Sequence, residues 1–382
     1  MAIMRLEPHP VSASWSASGT ISLELSPKPY TITRMMLILR TSITTTTATN
    51  LNDYWDRIIS RLNLTGAGKT FFDFTNMRVP YHLSRFGGFG PPRPTVVADS
   101  ATTLVQHFAY CIHFGIAPLR YNPISQMIED NPWDLTGGIP PVGSGNLTLG
   151  GTWGAAAAMG TNTTVASASM DVYLFGVQPE GAGEALVAYL PRAYPTWSMR
   201  TPTPTATSSA LATQDNFPAG GFLHSALVML TNGTGAPRDD SVLNSFEIYN
   251  NLESRSILKF GGQSGAVADV KAAEIISQFM ARQNFVPLSD NANTAMTAVT
   301  SVNGVPQVTN WPSSGLYYLP LHQFAVKGHP LYGVDLRNVA TGDLQMRYGV
   351  SDATGVTLDV LYRKYELNME HPGNLPVVAR AA

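Results

Sequence analysis

Charged side chains are scarce in this chain. Of its 382 residues, 13% are charged, whereas soluble domains usually carry about 25%. The net charge of −2 adds little electrostatic repulsion between molecules. Because such a surface opposes association only weakly, we expect copies of the chain to cover much of it.

Basic residues are not in excess, and cysteine is almost absent. The 24 Lys and Arg residues are balanced by 26 Asp and Glu residues, which argues against a nucleic-acid groove or a basic membrane-binding patch. Cys111 is the single cysteine, so an intrachain disulfide is excluded. This composition fits a reducing cytoplasm, or a fold that needs no disulfides.

Long apolar runs are also missing. Nowhere do 18 apolar residues stand together, as a transmembrane helix would require. The N-terminus, MAIMRLEPHP, has charges and prolines where a secretion signal requires an apolar stretch. We therefore expect a soluble, unsecreted product.

A phosphate-binding motif is present only in part. Residues Gly66–Thr70, GAGKT, resemble the end of a phosphate-binding loop, but Asn63 stands where that pattern requires its first glycine. The segment that follows is aromatic and typical of a strand, whereas phosphate binding needs a helix N-terminus there. We interpret GAGKT as a hairpin turn.

Metal-ligand spacing is equally incomplete. His107 and His113 flank Cys111, but six residues along a predicted helix would rotate the two imidazoles apart, which suits tetrahedral zinc poorly. His322 and His329 have no cysteine or further histidine partner nearby. We predict no metal site in either place.

The most informative feature is a repeat. Tyr30–Arg40 (YTITRMMLILR) matches Gly221–Thr231 (GFLHSALVMLT) when Ile32 is aligned with Leu223, 191 residues later. Alternating β-forming residues predict a strand in both segments. Each segment also ends in consecutive apolar residues, so both faces of each strand must be covered.

Two further matches keep nearly the same spacing. Leu51–Trp55 matches Leu243–Glu247 at 192 residues, and Ser169–Leu174 matches Thr357–Tyr362 at 188 residues. The three matches follow one another in the same order in both halves. We therefore interpret the chain as two copies of one β-domain, as expected when a chain exceeds the roughly 250–300 residues that one core can serve.

Only two carboxylates occupy equivalent places in both copies, Asp171 and Asp359. A glycoside hydrolase would need two carboxylates roughly 5–10 Å apart in one cleft. Equivalence in two copies instead favours a structural role, such as a turn or a buried hydrogen bond. No GxSxG sequence surrounds a serine, and we predict no catalytic, cofactor-binding or metal-binding residue.

Each copy is predicted to contain strands, then a helix, then further strands. The first helix follows Ser100, a possible N-cap, and carries Leu104, Phe108 and Ile112 on one face. The second helix covers residues 265–283.

Other segments are assigned from turn residues and alternation. Residues 118–151, rich in proline and glycine, predict a long irregular loop. Tyr54–Leu64 fits a helix or a strand, and we favour a strand because the matching second-half segment lacks helical spacing. Further strands are predicted at Ser14–Leu25, Thr70–Met77, Val165–Val177, Gly315–Pro320, Leu344–Val350 and Val356–Leu367.

The C-terminal part carries a resemblance to a known family. The segments concerned combine strands, turns and aromatic residues, and they are Gly315–Pro320, Leu331–Arg337, Asp343–Gly349 and Leu358–Leu367. Together with the duplicated first strands, they resemble the double jelly-roll major capsid proteins of tailless, membrane-containing double-stranded DNA viruses, in particular those of tectivirus-like phages.

The resemblance implies an all-β chain of two tandem eight-stranded jelly-roll β-sandwiches, each with a short inserted helix. The corresponding segments are an N-terminal arm at 1–14, a first jelly roll at 15–178, a linker at 179–204, a second jelly roll at 205–367 and a C-terminal arm at 368–382.

The resemblance also implies a structural protein and not an enzyme. Three chains would form a pseudo-hexameric tile, because two similar sandwiches per chain give near-sixfold contacts within a closed threefold ring. Tiles made in the host cytoplasm would build an icosahedral virion shell over an internal membrane, with penton and minor capsid proteins and without direct nucleic-acid binding. Met1–Pro10 is too short and too proline-broken for the membrane-contacting N-terminal helix of some relatives.

The alternative is a carbohydrate-binding, lectin-like tandem β-sandwich. Aromatic-rich loops support it, as do four N-x-S/T sequons, at Asn63, Asn146, Asn162 and Asn232. The missing secretion signal argues against it.

Overall fold

The computed structural model divides the chain into two compact units. The first contains residues up to Thr196 together with Ser301–Gln307 and the residues from Glu366 onward, and the second contains Trp197–Thr300 and Val308–Tyr365. The structure describes residues 2–8, 12–25, 30–46, 49–50, 57–66, 68–75, 77, 79–80, 83–84, 97–98, 102–117, 119–124, 126–131, 133–141, 146–156, 162–179, 189–204, 213–232, 243–261, 299–302, 305–308, 316–319, 321–324, 328–329, 332–350 and 355–371.

The first half forms two antiparallel sheets. Its strands are β1 (Ala2–Pro8), β2 (Ala13–Ser14), β3 (Thr20–Glu24), β4 (Thr31–Thr45), β5 (Thr49–Asn50), β6 (Ile59–Gly66), β7 (Lys69–Phe74), β8 (Val97–Ala98), β9 (Thr102–His113), β10 (Leu119–Asn122), β11 (Met127–Asp130), β12 (Thr148–Trp153) and β13 (Thr163–Pro179). One sheet has the order β1-β13-β4-β9, with β2 also paired to β13, and the other has the order β3-β12-β6-β7. Two short pairs, β5 with β8 and β10 with β11, lie outside these sheets.

The second half repeats this arrangement. Its elements are β14 (Ala193–Arg200), β15 (Thr213–Asn216), β16 (Phe222–Asn232), β17 (Leu243–Asn250), β18 (Arg255–Gly261), β19 (Val299–Val302), β20 (Val305–Val308), β21 (Leu316–Leu319), α1 (Leu321–Phe324), β22 (Gly328–His329), β23 (Gly333–Asp335), β24 (Leu344–Val350) and β25 (Val356–Leu367). One sheet has the order β14-β25-β16-β23-β22, with β21 also paired to β16, and the other has the order β15-β24-β17-β18. β19 pairs with β20.

The two halves therefore share one topology. In each half, eight strand positions in chain order are divided between the two sheets in the same way, which is the connectivity of a jelly roll. β4 corresponds to β16, β6 to β17, and β13 to β25. The prediction of two tandem eight-stranded sandwiches is confirmed.

Alternating burial along the strands defines the interior of each sandwich. In β4, Leu37, Leu39 and Ile43 are fully buried, and their neighbours in sequence point the other way, as the period of two requires. In the second half, Val228 of one sheet and Tyr348 of the other belong to a single apolar cluster. Each interior is thus built from the inward faces of two sheets.

The predicted helix after Ser100 is wrong, because Thr102–His113 forms the strand β9. Leu104, Phe108 and Ile112 are four residues apart, a spacing that places side chains on one face of a helix and equally on one face of a strand. Tyr110, which the helical interpretation left out, is buried on the same face as Phe108 and Ile112. The second predicted helix, at residues 265–283, lies outside the described residues.

Other sequence assignments have mixed outcomes. The strand favoured for Tyr54–Leu64 is confirmed from Ile59 onward, and its first residues lie outside the described part, as does Leu51–Trp55 of the second sequence match. The tract at 118–151 is not wholly irregular, since it contains the β10–β11 hairpin and the start of β12.

The termini of the sandwiches contain regular structure. β1 pairs along its length with β13, from Ala2 opposite Pro179 to Pro8 opposite Tyr173, and it lies within the segment predicted as an arm. β14 lies within the predicted linker at 179–204. The predicted domain boundaries stay a prediction. Among the described residues, no helix is long and apolar enough to cross a membrane.

Candidate assembly surface

The GAGKT segment is a hairpin turn, as interpreted from sequence. Gly66 pairs with Lys69 across the β6–β7 connection, and Gly68 between them has a φ of 71°, which favours glycine. The Lys69 ammonium is 2.9 Å from a carboxylate oxygen of Glu366 and 4.9 Å from the ring centroid of Tyr194. A strand and not a helix follows, so this turn offers no helix N-terminus for phosphate.

The histidines near Cys111 do not converge. His107 and His113 lie on the strand β9, where six residues span about 20 Å. His107 is exposed and His113 is buried. Within the described part of the chain, no three His, Cys, Asp or Glu side chains are grouped to hold a metal ion.

The segments of the first and third sequence matches form neighbouring strands in the structure. β4 and β13 are antiparallel neighbours in the first half, with Ile38 opposite Asp171. β16 and β25 are neighbours in the second half, with Met229 opposite Asp359. The first match aligns Ile38 with Met229 and the third aligns Asp171 with Asp359, so both halves pair these strands in the same register.

Both repeated carboxylates tie neighbouring strands together. Asp171 accepts a hydrogen bond from the Ser12 hydroxyl and lies 2.7 Å from the Arg40 guanidinium. Asp359 accepts a 2.7 Å hydrogen bond from the Thr201 hydroxyl. Ser12 precedes β2 and Thr201 follows β14, so each carboxylate holds the adjoining chain at the same edge of its sheet. These contacts give both aspartates a structural role.

A β-bulge is also repeated. In β4 the pairing with β13 skips Thr33, and in β16 the pairing with β25 skips His224. These two residues are 191 apart, the spacing of the first sequence match. A bulge re-aims the side chains around it, so the same local distortion places a threonine in one half and a histidine in the other.

The outward side of the first repeated sheet carries a half-buried, mainly apolar patch. We name it the first outer face, and its half-buried residues are Met36 and Ile38 of β4, Ala109 of β9, and Asp171 and Tyr173 of β13. Met36 pairs with Tyr173, and Ile38 pairs with Ala109. Val105 of β9, which also points outward, is 68% exposed. Apolar side chains here are left partly open to water.

The equivalent side in the second half is closed. We name it the second outer face, formed by Leu227 and Met229 of β16, Tyr318 of β21 and Leu361 of β25. Leu227 and Leu361 are each 2% exposed, and Tyr318 is 7% exposed. Alternation with Ala226, Val228 and Leu230, which belong to the interior cluster, directs Leu227 and Met229 outward. The apolar side chains of this face are therefore buried within the single chain, whereas Asp359, the equivalent of Asp171, is half-buried.

The expectation that both faces of each repeated strand are covered is met by residues 222–230 of β16 and only partly by β4. Leu227 and Leu361 are equivalent to Met36 and Tyr173, which are half-buried. Sequence alone could not distinguish the two faces, because the apolar character of the residues is the same in both copies. The difference in cover appears only once the chain is folded.

A polar network marks the second interior. The Tyr362 hydroxyl donates a 2.6 Å hydrogen bond to a carboxylate oxygen of Asp215, and the Tyr348 hydroxyl lies 3.4 Å from that of Tyr362. Burial raises the pKa of Asp215 and the pKa of both tyrosines. The hydrogen bonds satisfy these buried polar groups. No sequence pattern indicated this network.

Neither a protein-family model nor a curated protein matches the chain. Solved structures do. The crystal structure of the STIV major capsid protein superposes with a TM-score of 0.69 at 14% identity, covering 98% of this chain and 99% of that one. The fold is a double jelly roll.

Other double jelly rolls match less closely over a similar length. A chain in the atomic structure of Sulfolobus turreted icosahedral virus gives a TM-score of 0.67 at 13% identity, covering 99% of this chain and 95% of that one. The major capsid protein P2 from bacteriophage PM2 gives 0.53 at 9% identity, covering 96% and 98%. The likeness thus extends over both jelly rolls, from the first sheets to the last.

Proposed function

We propose that this chain is the structural major capsid protein of an icosahedral virus, with its place in the virion shell. The observation that carries the proposal is the unequal cover of two equivalent surfaces in a double jelly roll. The second outer face is buried within the chain, whereas the first outer face leaves apolar side chains half-open. In a subunit that assembles with its own copies, a neighbouring copy would cover this face.

The occupant of the first outer face is, in this proposal, a second copy of the chain. In the second outer face the apolar side chain of Leu227 is 2% exposed, because the single chain covers it. Met36 occupies the equivalent position in the repeat, and its apolar side chain is likewise more stable when it is shielded from water. A surface with 13% charged residues has little repulsion to keep such copies apart.

Three copies would close into a tile. Two jelly rolls of one topology in a chain give six similar sandwiches in a trimer, and so near-sixfold contacts from threefold symmetry. The structural neighbours support this proposal, since they are described as major capsid proteins of STIV and of bacteriophage PM2. Penton and minor capsid proteins would complete the shell, and an internal membrane would lie beneath it.

The native mass tests the proposal directly. We expect light scattering behind a sizing column to give three times the 41.1 kDa subunit mass, and negative-stain images of that peak to show roughly hexagonal tiles. A dispersed monomer at high concentration would contradict self-assembly. Glycan binding by that monomer would favour the lectin-like alternative.

A single substitution tests the assembly surface. We expect Met36→Asp to leave a folded chain that remains monomeric, because the new charge would be fully buried only on association. Ala17→Asp, in the exposed turn between β2 and β3, is the matched control and should keep the wild-type mass. A wild-type oligomer for Met36→Asp would exclude the first outer face as the contact.

A further inference from the structure

Two histidines are stacked at the bulge of the second jelly roll. His224 is the extra residue of the bulge in β16, and His322 lies in α1. Their ring centroids are 4.0 Å apart with an angle of 11° between the planes. His224 is 3% exposed, and His322 is half-buried. The contact joins a short helix to the central strand of the sheet.

Hydrogen bonding at the pair is one-sided. The Nδ1 of His322 is 3.2 Å from the backbone carbonyl of His224, and in this contact the nitrogen donates. Both ring nitrogens of His224 are buried and have no hydrogen-bond partner among the described residues. The rings of Tyr365 and His224 meet in a T-shaped arrangement with centroids 5.4 Å apart. The His224 imidazole is thus held by ring contacts.

The charged side chain that influences both histidines is an arginine. Arg363 of β25 acts electrostatically on both histidines, and its guanidinium lies over Trp197 of β14 at 5.2 Å and over Tyr365 at 5.1 Å. Burial lowers the pKa of His224 and of His322, and the positive charge of Arg363 lowers each further. Near neutral pH both rings are therefore uncharged.

Besides Tyr365, a second phenol is influenced by the same arginine. Tyr318 of β21 is hydrogen-bonded to Ser225 and is also influenced by Arg363. Burial raises the pKa of Tyr318, so the phenol stays neutral and offers no negative charge to a protonated imidazole. The groups that act on His224 electrostatically, His322 and Arg363, both disfavour its cationic form.

We propose that the stacked histidines form an acid-sensitive latch that holds α1 on the bulge of β16. A proton on either ring places a cation in a buried stack beside Arg363, and protons on both rings place two cations face to face. Separation of α1 from β16 relieves this repulsion by admitting water. The proposal concerns the second jelly roll alone and does not depend on a capsid function.

The sign of the pH effect follows from linkage. A histidine whose pKa is lower in the closed state binds fewer protons there than in the open state. The closed state is therefore favoured above the ordinary histidine value of about 6.5 and loses that advantage as the pH falls below it. For each proton taken up, the opening equilibrium constant rises about tenfold per pH unit.

Hydrogen exchange of the wild-type protein tests the latch. We expect amides of 222–230 and 316–324 to lose protection by about tenfold to a hundredfold between pH 6.0 and 5.0, after correction for intrinsic exchange rates. Amides of β4, the equivalent strand of the first jelly roll, should keep theirs. Protection of β16 that does not change over this range would overturn the proposal.

Two variants separate the latch from general acid sensitivity. His224→Phe and His322→Phe each keep a ring at the stack and remove one titrating group, so each should flatten the loss of protection in β16. His107→Phe, at an exposed position on β9, is the control and should retain the wild-type pH response. A full response in both stack variants would refute the latch, and the wild-type experiment decides alone if neither variant folds.

Discussion

The two jelly rolls have the same backbone plan and different side-chain solutions within it. In the first, Met35 faces Leu174 across β4 and β13. In the second, the equivalent pair is Ala226 and Tyr362, where a smaller residue makes room for a larger one. The tyrosine then uses its hydroxyl to reach Asp215. Strand register is thus retained while the paired side chains change from apolar to partly polar.

The outer faces differ in the opposite way. Their residue types are similar, but the exposure of their side chains to water is not. Met36 and Leu227 occupy the same position, yet Met36 is half-buried and Leu227 is 2% exposed. The bulge shows a third kind of difference, because Thr33 and His224 share a backbone distortion and only His224 carries a titratable ring. A duplicated fold therefore indicates function best at the equivalent positions where its two copies diverge.

The largest effect is expected from matched aspartates on the two outer faces. Leu227→Asp places an unpaired charge at a site buried within the chain, which costs several kcal/mol of a total stability of about 5–15 kcal/mol. We expect Leu227→Asp to be unfolded or insoluble, as we expect for Leu37→Asp in the first interior. We expect the urea unfolding midpoint of Met36→Asp to lie near that of the isolated wild-type subunit.

Soluble yield and urea unfolding followed by circular dichroism measure this contrast. Equal damage by Met36→Asp and Leu227→Asp would remove the distinction between the two faces. Wild-type yield of Leu37→Asp would show that β4 is wrongly placed in the interior.

Much of the fold could be predicted because repeats and period-two patterns are local and cumulative. β24 and β25 agree with the predicted strands at both ends. The first helix failed because Leu104, Phe108 and Ile112 satisfy both periods, and only the β4 neighbour decides between them. Strand pairing joins residues far apart in sequence, and this information is absent from any short window.

The candidate sites were harder to predict than the fold. Sequence marked His322 as a weak metal candidate and gave no reason to examine His224, because the contact between them joins residues 98 apart. The cover of Leu227 likewise depends on the folded chain and not on its residue type. The structural role of Asp171 and Asp359 could be predicted, since it required only that both halves use the same residue at the same place.

An intermediate effect is expected from the polar network of the second interior. Tyr362→Phe removes the hydroxyl that donates to Asp215 and lies next to Tyr348. A buried polar group left without its partner costs about 1–3 kcal/mol, so the unfolding midpoint in urea should fall accordingly. Tyr173→Phe, on the half-buried first outer face, is the control and should change the isolated subunit little. Equal midpoints for both variants would mean that the network does not stabilise the second interior.

The smallest effects should be nearly equal in the two jelly rolls, because they remove a polar feature that both share. Asp171→Ala loses the 2.7 Å contact with Arg40 and the hydrogen bond from Ser12, and Asp359→Ala loses the hydrogen bond from Thr201. Partly exposed contacts of this kind contribute about 1 kcal/mol or less. Urea unfolding should therefore show two small losses of similar size, and 0.5 M salt should reduce the loss for Asp171→Ala, since that carboxylate faces an arginine. A loss of several kcal/mol at one position alone would show that the repeated aspartates have separate roles. The register that they share would then reflect duplication of the domain without a common function for the two carboxylates.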